Sequence, residues 1–122
     1  MAHILVVDDE ETIRQVLEAL LTSNGHTVHQ AAEGGEAIEY MKTGSDLDLV
    51  VTDMRMDPVN GMDVLVATKE HRSEVPVIMV TAFASDETSA EAMDKGAFAY
   101  LSKPFNPTQL MERVDRALSA AS

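Results

Sequence analysis

A chain of 122 residues with 45% apolar content is long enough for one hydrophobic core and too short for two ordinary domains, so a single domain over residues 1–122 is expected. With 21 acidic against 9 basic residues and a formal net charge of −12, direct binding to nucleic-acid phosphates or anionic lipid is disfavoured, and a protein or small cationic partner fits better. The lack of Cys excludes disulfides, thiolate metal sites and thiol nucleophiles. Aromatics are scarce at 4%, so the core must rely on aliphatic side chains and Met. The first residues carry no leader-like pattern and no stretch approaches membrane-spanning length, so a soluble, cytoplasmic protein is expected.

Residues 4–7 are a short apolar run closed by Asp8 and Asp9, which reads as a buried first strand. Glu10 and Glu11 follow, where the first turn of a helix favours acidic side chains, and Ile13, Val16, Leu17, Leu20 and Leu21 mark one helical face. Asn24-Gly25 is a stop signal. Residues 27–32 form a weaker, more polar strand suited to a sheet edge. Gly34-Gly35 opens a second helix with Ala37, Ile38 and Met41 inward, ended by Gly44. Residues 47–53, Leu-Asp-Leu-Val-Val-Thr-Asp, are too short for a helix and largely apolar, as suits a central strand covered on both faces. Asp53 stands where that strand leaves the sheet.

A loop over residues 54–60 contains Pro58 and leads to Gly61, after which a third helix turns Met62, Leu65 and Val66 inward. Residues 75–80 are a β-branched run with Pro76 near its start, and the run ends on Thr81. Ser85-Asp86-Glu87 starts a fourth helix whose inner face offers chiefly Ala90, Met93 and Ala97, so this helix is expected to be the least firmly held. Residues 98–101 form a fifth strand, followed by Ser102-Lys103-Pro104-Phe105. Asn106-Pro107-Thr108-Gln109 supplies a cap, a proline at the first helical position and Gln three after the cap. The last helix buries Leu110, Val114, Ala117 and Leu118, ahead of a small-residue tail at residues 119–122.

Strands and helices alternate five times, which calls for an α/β doubly wound fold: a five-stranded parallel sheet, right-handed crossovers and helices on both faces. Chain order does not by itself give strand order. The weak second and polar fifth strands suit the edges, which favours the flavodoxin-like order 2-1-3-4-5. The first and third strands are then neighbours about 4.8 Å apart, and Asp8, Asp9 and Asp53 crowd together.

Each pair of such carboxylates repels by roughly 4 kcal/mol at about 4 Å under an effective dielectric near 20. A hard divalent cation that keeps several waters offsets this, which describes Mg²⁺. The plainer alternative is that Asp8 and Asp9 cap the first helix while Asp53 is a solvated strand end. Thr81 and Lys103 flank Asp53 with a hydroxyl donor and a point charge, suited to an anion beside the metal. A carboxylate attacking phosphorus in line needs little beyond positioning and charge neutralisation, and would give an aspartyl phosphate on Asp53. Taken singly, Thr81 also suits an ordinary strand and Lys103 a solvated loop. His3, His26, His29 and His71 lack zinc-site spacing and are read as surface residues, and the Met residues as core.

With these residues in view, the chain resembles a two-component response regulator receiver domain over essentially its whole length. The matching segments are Val6-Val7-Asp8-Asp9-Glu10, Asp53 with Met56 and Gly61, Val80-Thr81-Ala82, and Tyr100-Leu101-Ser102-Lys103-Pro104-Phe105. The resemblance implies that Asp53 is the phosphoacceptor and that Asp8, Asp9 and the backbone carbonyl of Arg55 help Asp53 bind Mg²⁺. It also implies that Lys103 contacts the phosphoryl group and precedes a cis bond to Pro104. Thr81 and Tyr100 would be a switch pair, Tyr100 turning into space that Thr81 vacates beneath the fourth helix; as an alternative, Tyr100 is an ordinary edge-strand aromatic. One departure stands out: Asp57 occupies the place where the family usually has Pro, and Pro58 follows. That Pro biases Asp57 towards an extended conformation, with its carboxylate either in solvent or an outer-sphere partner of the metal.

Three functions compete. The first is a phosphorylation switch, not an enzyme, that takes a phosphoryl group from a sensor histidine kinase or phosphotransfer protein. Its output would pass through the face of the fourth helix, fifth strand and fifth helix, to a second copy or an effector; the final helix resembles those of receivers joined to transcriptional activators. The second is a Mg²⁺-dependent phosphohydrolase, which wants a general acid two residues after Asp53, where Arg55 stands, and a cap segment. The third is a flavodoxin-like binding module, whose phosphate loop should be rich in Ser, Thr and Gly where residues 8–11 are acidic. The residues favour the first.

Overall fold

The apolar runs become the strands of one sheet, and the helical stripes cover its two faces. The structure is a computed structural model and describes residues 2–43, 46–54 and 59–121. In chain order the elements are β1 (His3–Val7), α1 (Glu11–Ser23), β2 (Thr27–Ala31), α2 (Gly34–Lys42), β3 (Leu49–Asp53), α3 (Gly61–His71), β4 (Val77–Thr81), α4 (Asp86–Asp94), β5 (Ala99–Ser102) and α5 (Pro107–Ala121). All four strand pairings are parallel and the strand order is β2-β1-β3-β4-β5, as the edge argument expected. Every residue of β3 and β4 is buried, whereas β2 is half-buried along most of its length.

Alternate strand residues feed opposite faces. Leu5, Val7, Val50 and Met79 pack with Ala37, Met41, Val64 and Leu65 on the side of α2 and α3. Ile4, Val6, Val51 and Val80 pack with Leu17 and Leu21 of α1 and Leu110, Val114 and Ala117 of α5. The sheet is thus sealed on both sides, and only its edges meet water.

Several side chains lie elsewhere than their hydropathy suggests. Val16 is 48% exposed and Val66 37%, because the buried stripe of α1 is centred on Leu17 and Leu21 and that of α3 on Val64, Leu65 and Thr68. Thr68 can be buried because its hydroxyl donates to the Val64 carbonyl at 2.7 Å. In α4 the inner face carries Ala92, whereas Ala90 is exposed and Met93 is 47% exposed. Met93 therefore departs from the expected all-core methionines, while Met41, Met54 and Met79 are buried. His3, His26 and His29 are half-buried instead of superficial: the His3 and His29 rings stack at 5.9 Å, and His29 lies 5.0 Å from Tyr40. The expected tail continues as helix to Ala121, consistent with the strong helix propensity of Ala. The Gly44 stop lies outside the described residues.

The helix starts follow the capping chemistry. Asn106 Oδ1 accepts from the Thr108 and Gln109 amides at 2.8 and 3.2 Å. Ser85 Oγ accepts from the Thr88 amide at 3.1 Å, and Asn60 and Asp63 form a reciprocal capping box at α3.

Candidate functional site

Parallel pairing sets the site. Val7 pairs with Thr52, so the next residues of the two strands, Asp8 and Asp53, leave the sheet side by side. Asp53 pairs with Val80 and Thr81 with Ser102, which brings Thr81 and Lys103 to the same carboxyl edge. The Lys103 amide donates to the Thr81 carbonyl at 2.8 Å, tying the two segments together, and the Lys103–Pro104 bond is cis. Asp8 is 2% exposed, Asp53 7% and Thr81 fully buried.

Each of these polar groups is held. Asp8 Oδ1 accepts from the Glu10 amide at 2.9 Å, and Oδ2 accepts from Lys103 Nζ at 2.8 Å. The Asp8 carbonyl accepts from Arg14 Nη1 at 2.6 Å. Asp53 Oδ1 accepts from the Met54 amide at 2.8 Å and lies 3.6 Å from Lys103 Nζ. Thr81 Oγ1 accepts from the Phe83 amide at 3.0 Å. Gly61 closes the loop after β3, its amide donating to the Met54 carbonyl at 2.9 Å. A Cβ at Gly61 would collide with the Asp53 carbonyl, so only glycine fits against the end of β3.

Burial alone would push Lys103 to release its proton. The hydrogen bond and charge of Asp8, aided by Asp53 and Glu10, outweigh that and raise its pKa above the ordinary lysine value. The ammonium is therefore a fixed positive charge between two buried carboxylates.

Asp8, Asp9 and Glu10 each present a carboxylate oxygen within 4.8 Å of the others, the one such group among the described residues. Asp8 is buried while Asp9 and Glu10 face solvent. An all-oxygen set of this kind, with an open side for waters, fits a Mg²⁺ ion. Asp53 is outside this tight group and faces Lys103 instead, whereas Glu10, not singled out from the sequence, is inside it. The signal for Glu10 was available in the unbroken acidic run of residues 8–11. Arg55, Met56, Asp57 and Pro58, with the carbonyl assigned to the metal and the departure in the loop, lie outside the described residues.

Tyr100 was expected at this edge, but its partners were not. Its hydroxyl lies 2.6 Å from Thr88 Oγ1 and 4.0 Å from Met54 Sδ. Arg14 was likewise missed: besides Asp8 it donates from Nε to Gln30 Oε1 at 3.0 Å, a link between α1 and β2 that no sequence spacing reveals.

A parallel sheet of order 2-1-3-4-5 whose carboxyl edge gathers an acidic group, a buried aspartate, a hydroxyl and a lysine defines a receiver-type signalling domain. The response regulator receiver domain family matches residues 4–115, and the chain belongs to that family. It is similar to the response regulator SaeR of Staphylococcus aureus, 33% identical over 119 residues that make up 98% of this chain and 51% of SaeR. The chain thus spans about half the length of the curated relatives it matches. Among solved structures, a receiver domain protein from Clostridium thermocellum superposes with a TM-score of 0.92 at 34% identity, covering 98% of this chain and 96% of that one. The beryllofluoride-activated NtrC4 receiver domain dimer gives a TM-score of 0.93 at 31% identity, with 100% of both chains covered. No helix among the described residues is long and apolar enough to cross a membrane.

Proposed function

We propose that residues 1–122 act as one receiver domain that accepts a phosphoryl group on Asp53 from a histidine kinase or phosphotransfer protein in the cytoplasm. The observation that carries this reading is the placement of Lys103 Nζ against both Asp8 and Asp53, at 2.8 and 3.6 Å, with both carboxylates buried. A phosphoryl group on Asp53 would meet the ammonium at once, and the buried Thr81 hydroxyl lies at the end of the neighbouring strand. A carboxylate oxygen of Asp53 forms the new O–P bond as the N–P bond of the donor phosphohistidine breaks. The leaving imidazole nitrogen keeps the electron pair and takes up a proton.

Asp8 and Asp9, with Glu10 beside them, would hold Mg²⁺, and Asp53 and the Arg55 carbonyl complete the set that the family resemblance implies. When bound, the ion neutralises charge on the phosphoryl oxygens. The chain's own residues do the rest: Lys103 sets its positive charge 3.6 Å from the Asp53 carboxylate, and Thr81 can exchange its bond with the Phe83 amide for one to the phosphoryl group. Release of that bond frees the loop between β4 and α4, and α4 buries only Ala92, so its packing is easily shifted. Output through α4, β5 and α5, to a second copy or an effector, follows from this, and the NtrC4 receiver is described as a dimer in its beryllofluoride-activated form. Signalling by group acceptance, not turnover of a substrate, is the function assigned.

The test is intact-mass analysis after incubation with a small phosphodonor such as acetyl phosphate, with and without Mg²⁺. A Mg²⁺-dependent gain of one phosphoryl group, lost in Asp53→Ala, is expected; a gain that persists in Asp53→Ala overturns the assignment.

A further inference from the structure

Tyr100 is half-buried, and its ring packs against the core on the α4 side of the sheet. A tyrosine hydroxyl in that setting needs a partner. Thr88 supplies it at 2.6 Å, and Thr88 Oγ1 is in turn 2.8 Å from Ser85 Oγ, the capping side chain of α4. On its other side the Tyr100 hydroxyl reaches Met54 Sδ at 4.0 Å, and the Met54 amide donates to Asp53 Oδ1. A continuous row of contacts therefore runs from Asp53 through Met54 and Tyr100 to Thr88 and the first turn of α4. Thr81 is not needed for it: in the same structure Thr81 Oγ1 is engaged with the Phe83 amide at 3.0 Å. An inward Tyr100 and a Thr81 turned to its own loop coexist.

We propose that Thr88 is a positioning residue that holds Tyr100 inward before any phosphoryl group arrives. Tyr100 is then a preset strut between Met54 and α4, and the conditional event is the release of Thr81 from Phe83. This rests on the reading of Asp53 as phosphoacceptor and replaces the expected inward rotation of Tyr100. The placement also explains the inner face of α4. A threonine four residues before Ala92 faces inward because Tyr100 offers its hydroxyl a partner, and this bond links the first turn of α4 to β5.

The chain has no Trp and two Tyr, so Tyr40→Phe leaves Tyr100 as the sole tyrosine fluorophore. Acrylamide quenching is measured in that background, free and with Mg²⁺ and beryllofluoride, which stands in for the phosphoryl group. Tyr100 should be protected in the free protein and change little with beryllofluoride. Adding Thr88→Val should shift the ratio of inward to outward ring roughly fivefold, the factor given by loss of one net hydrogen bond, and raise quenching; Thr88→Ser should restore protection. Tyr100 ring resonances in the unsubstituted chain report the same positions without the Tyr40 change. A ring freely quenched in the free protein and protected only by beryllofluoride overturns the proposal, as does quenching indifferent to Thr88→Val in a protein with an unchanged circular dichroism spectrum. Intact mass after acetyl phosphate treatment, read on the same samples, reports the Asp53 assignment separately, because protection of the free protein does not depend on it.

Discussion

Lys103 Nζ stands 2.8 Å from Asp8 Oδ2, with 9% and 2% of the two side chains exposed, so an ion pair from opposite ends of the chain seals the floor of the acidic pocket. Removing one partner of a buried pair leaves an uncompensated charge, which costs more than the pair contributed. Lys103→Met should lower the unfolding free energy by about 3–5 kcal/mol without Mg²⁺, and the deficit should shrink when Mg²⁺ is added. Urea unfolding with and without the cation checks both. Because pairing holds the Lys103 pKa above its ordinary value, the stability it contributes is fully present below the unfolded pKa of about 10.4 and is lost as pH rises through the folded one. Lys103→Met should therefore flatten the alkaline limb of the stability profile.

If Mg²⁺ is held as proposed, by Asp8 and Asp9 together with Asp53, it should raise the melting temperature, since strand pairing brings Asp53 beside the other two only in the folded chain. At ten times its dissociation constant the gain is about 1.4 kcal/mol, or roughly 5 °C for a domain of this size. Asp9→Ala removes an exposed member of the group without emptying the core and should abolish most of the shift. Scanning calorimetry at matched ionic strength separates this from general charge screening.

Phe83 is 58% exposed two residues after Thr81, and its amide is bonded to the Thr81 hydroxyl. We propose that bulk at this position hinders water approaching a phosphoryl group on Asp53. Phe83→Ala should shorten the phosphoryl lifetime about threefold, a barrier change of roughly 0.7 kcal/mol. Dephosphorylation followed by intact mass measures it, and Arg55→Ala, two residues beyond Asp53, is the matched comparison.

Gly61→Ala should damage the site through the backbone. The added methyl would press on the Asp53 carbonyl and come within 2.7 Å of Met54 Cα, so the end of β3 must move. A loss of about 1–3 kcal/mol in stability is expected from such overpacking, with phosphorylation of Asp53 reduced further than stability alone accounts for. Phosphorylation measured at a temperature where the variant is fully folded distinguishes the two.

Periodicity and end signals carried much of this protein. The run of residues 47–53 lacks polar alternation near its end because β3 is covered on both faces, and Asp53 is legible at its end because a carboxylate that closes such a run must sit at a strand terminus. Asn106 and Ser85 were legible as caps for the same local reason: their hydroxyl or amide oxygens answer amides two or three residues away. Val16, Val66 and Met93 were misplaced because hydropathy marks a side chain as apolar without saying which flank of a helix its neighbours leave uncovered.

The sequence by itself determined the alternation of strands and helices, the sheet order through its weak edges, and the acidic, hydroxyl and ammonium groups that meet at the carboxyl edge. All of these follow from local pattern and from the rule that parallel strands deliver their ends to one side. Tertiary structure decided the pairing of Lys103 with Asp8, the grouping of Glu10 with Asp8 and Asp9, and the bond from Thr88 to Tyr100. Each depends on the direction of a side chain across elements distant in sequence. Such directions are set by packing and by the need of buried polar groups for partners, which no window along the chain contains.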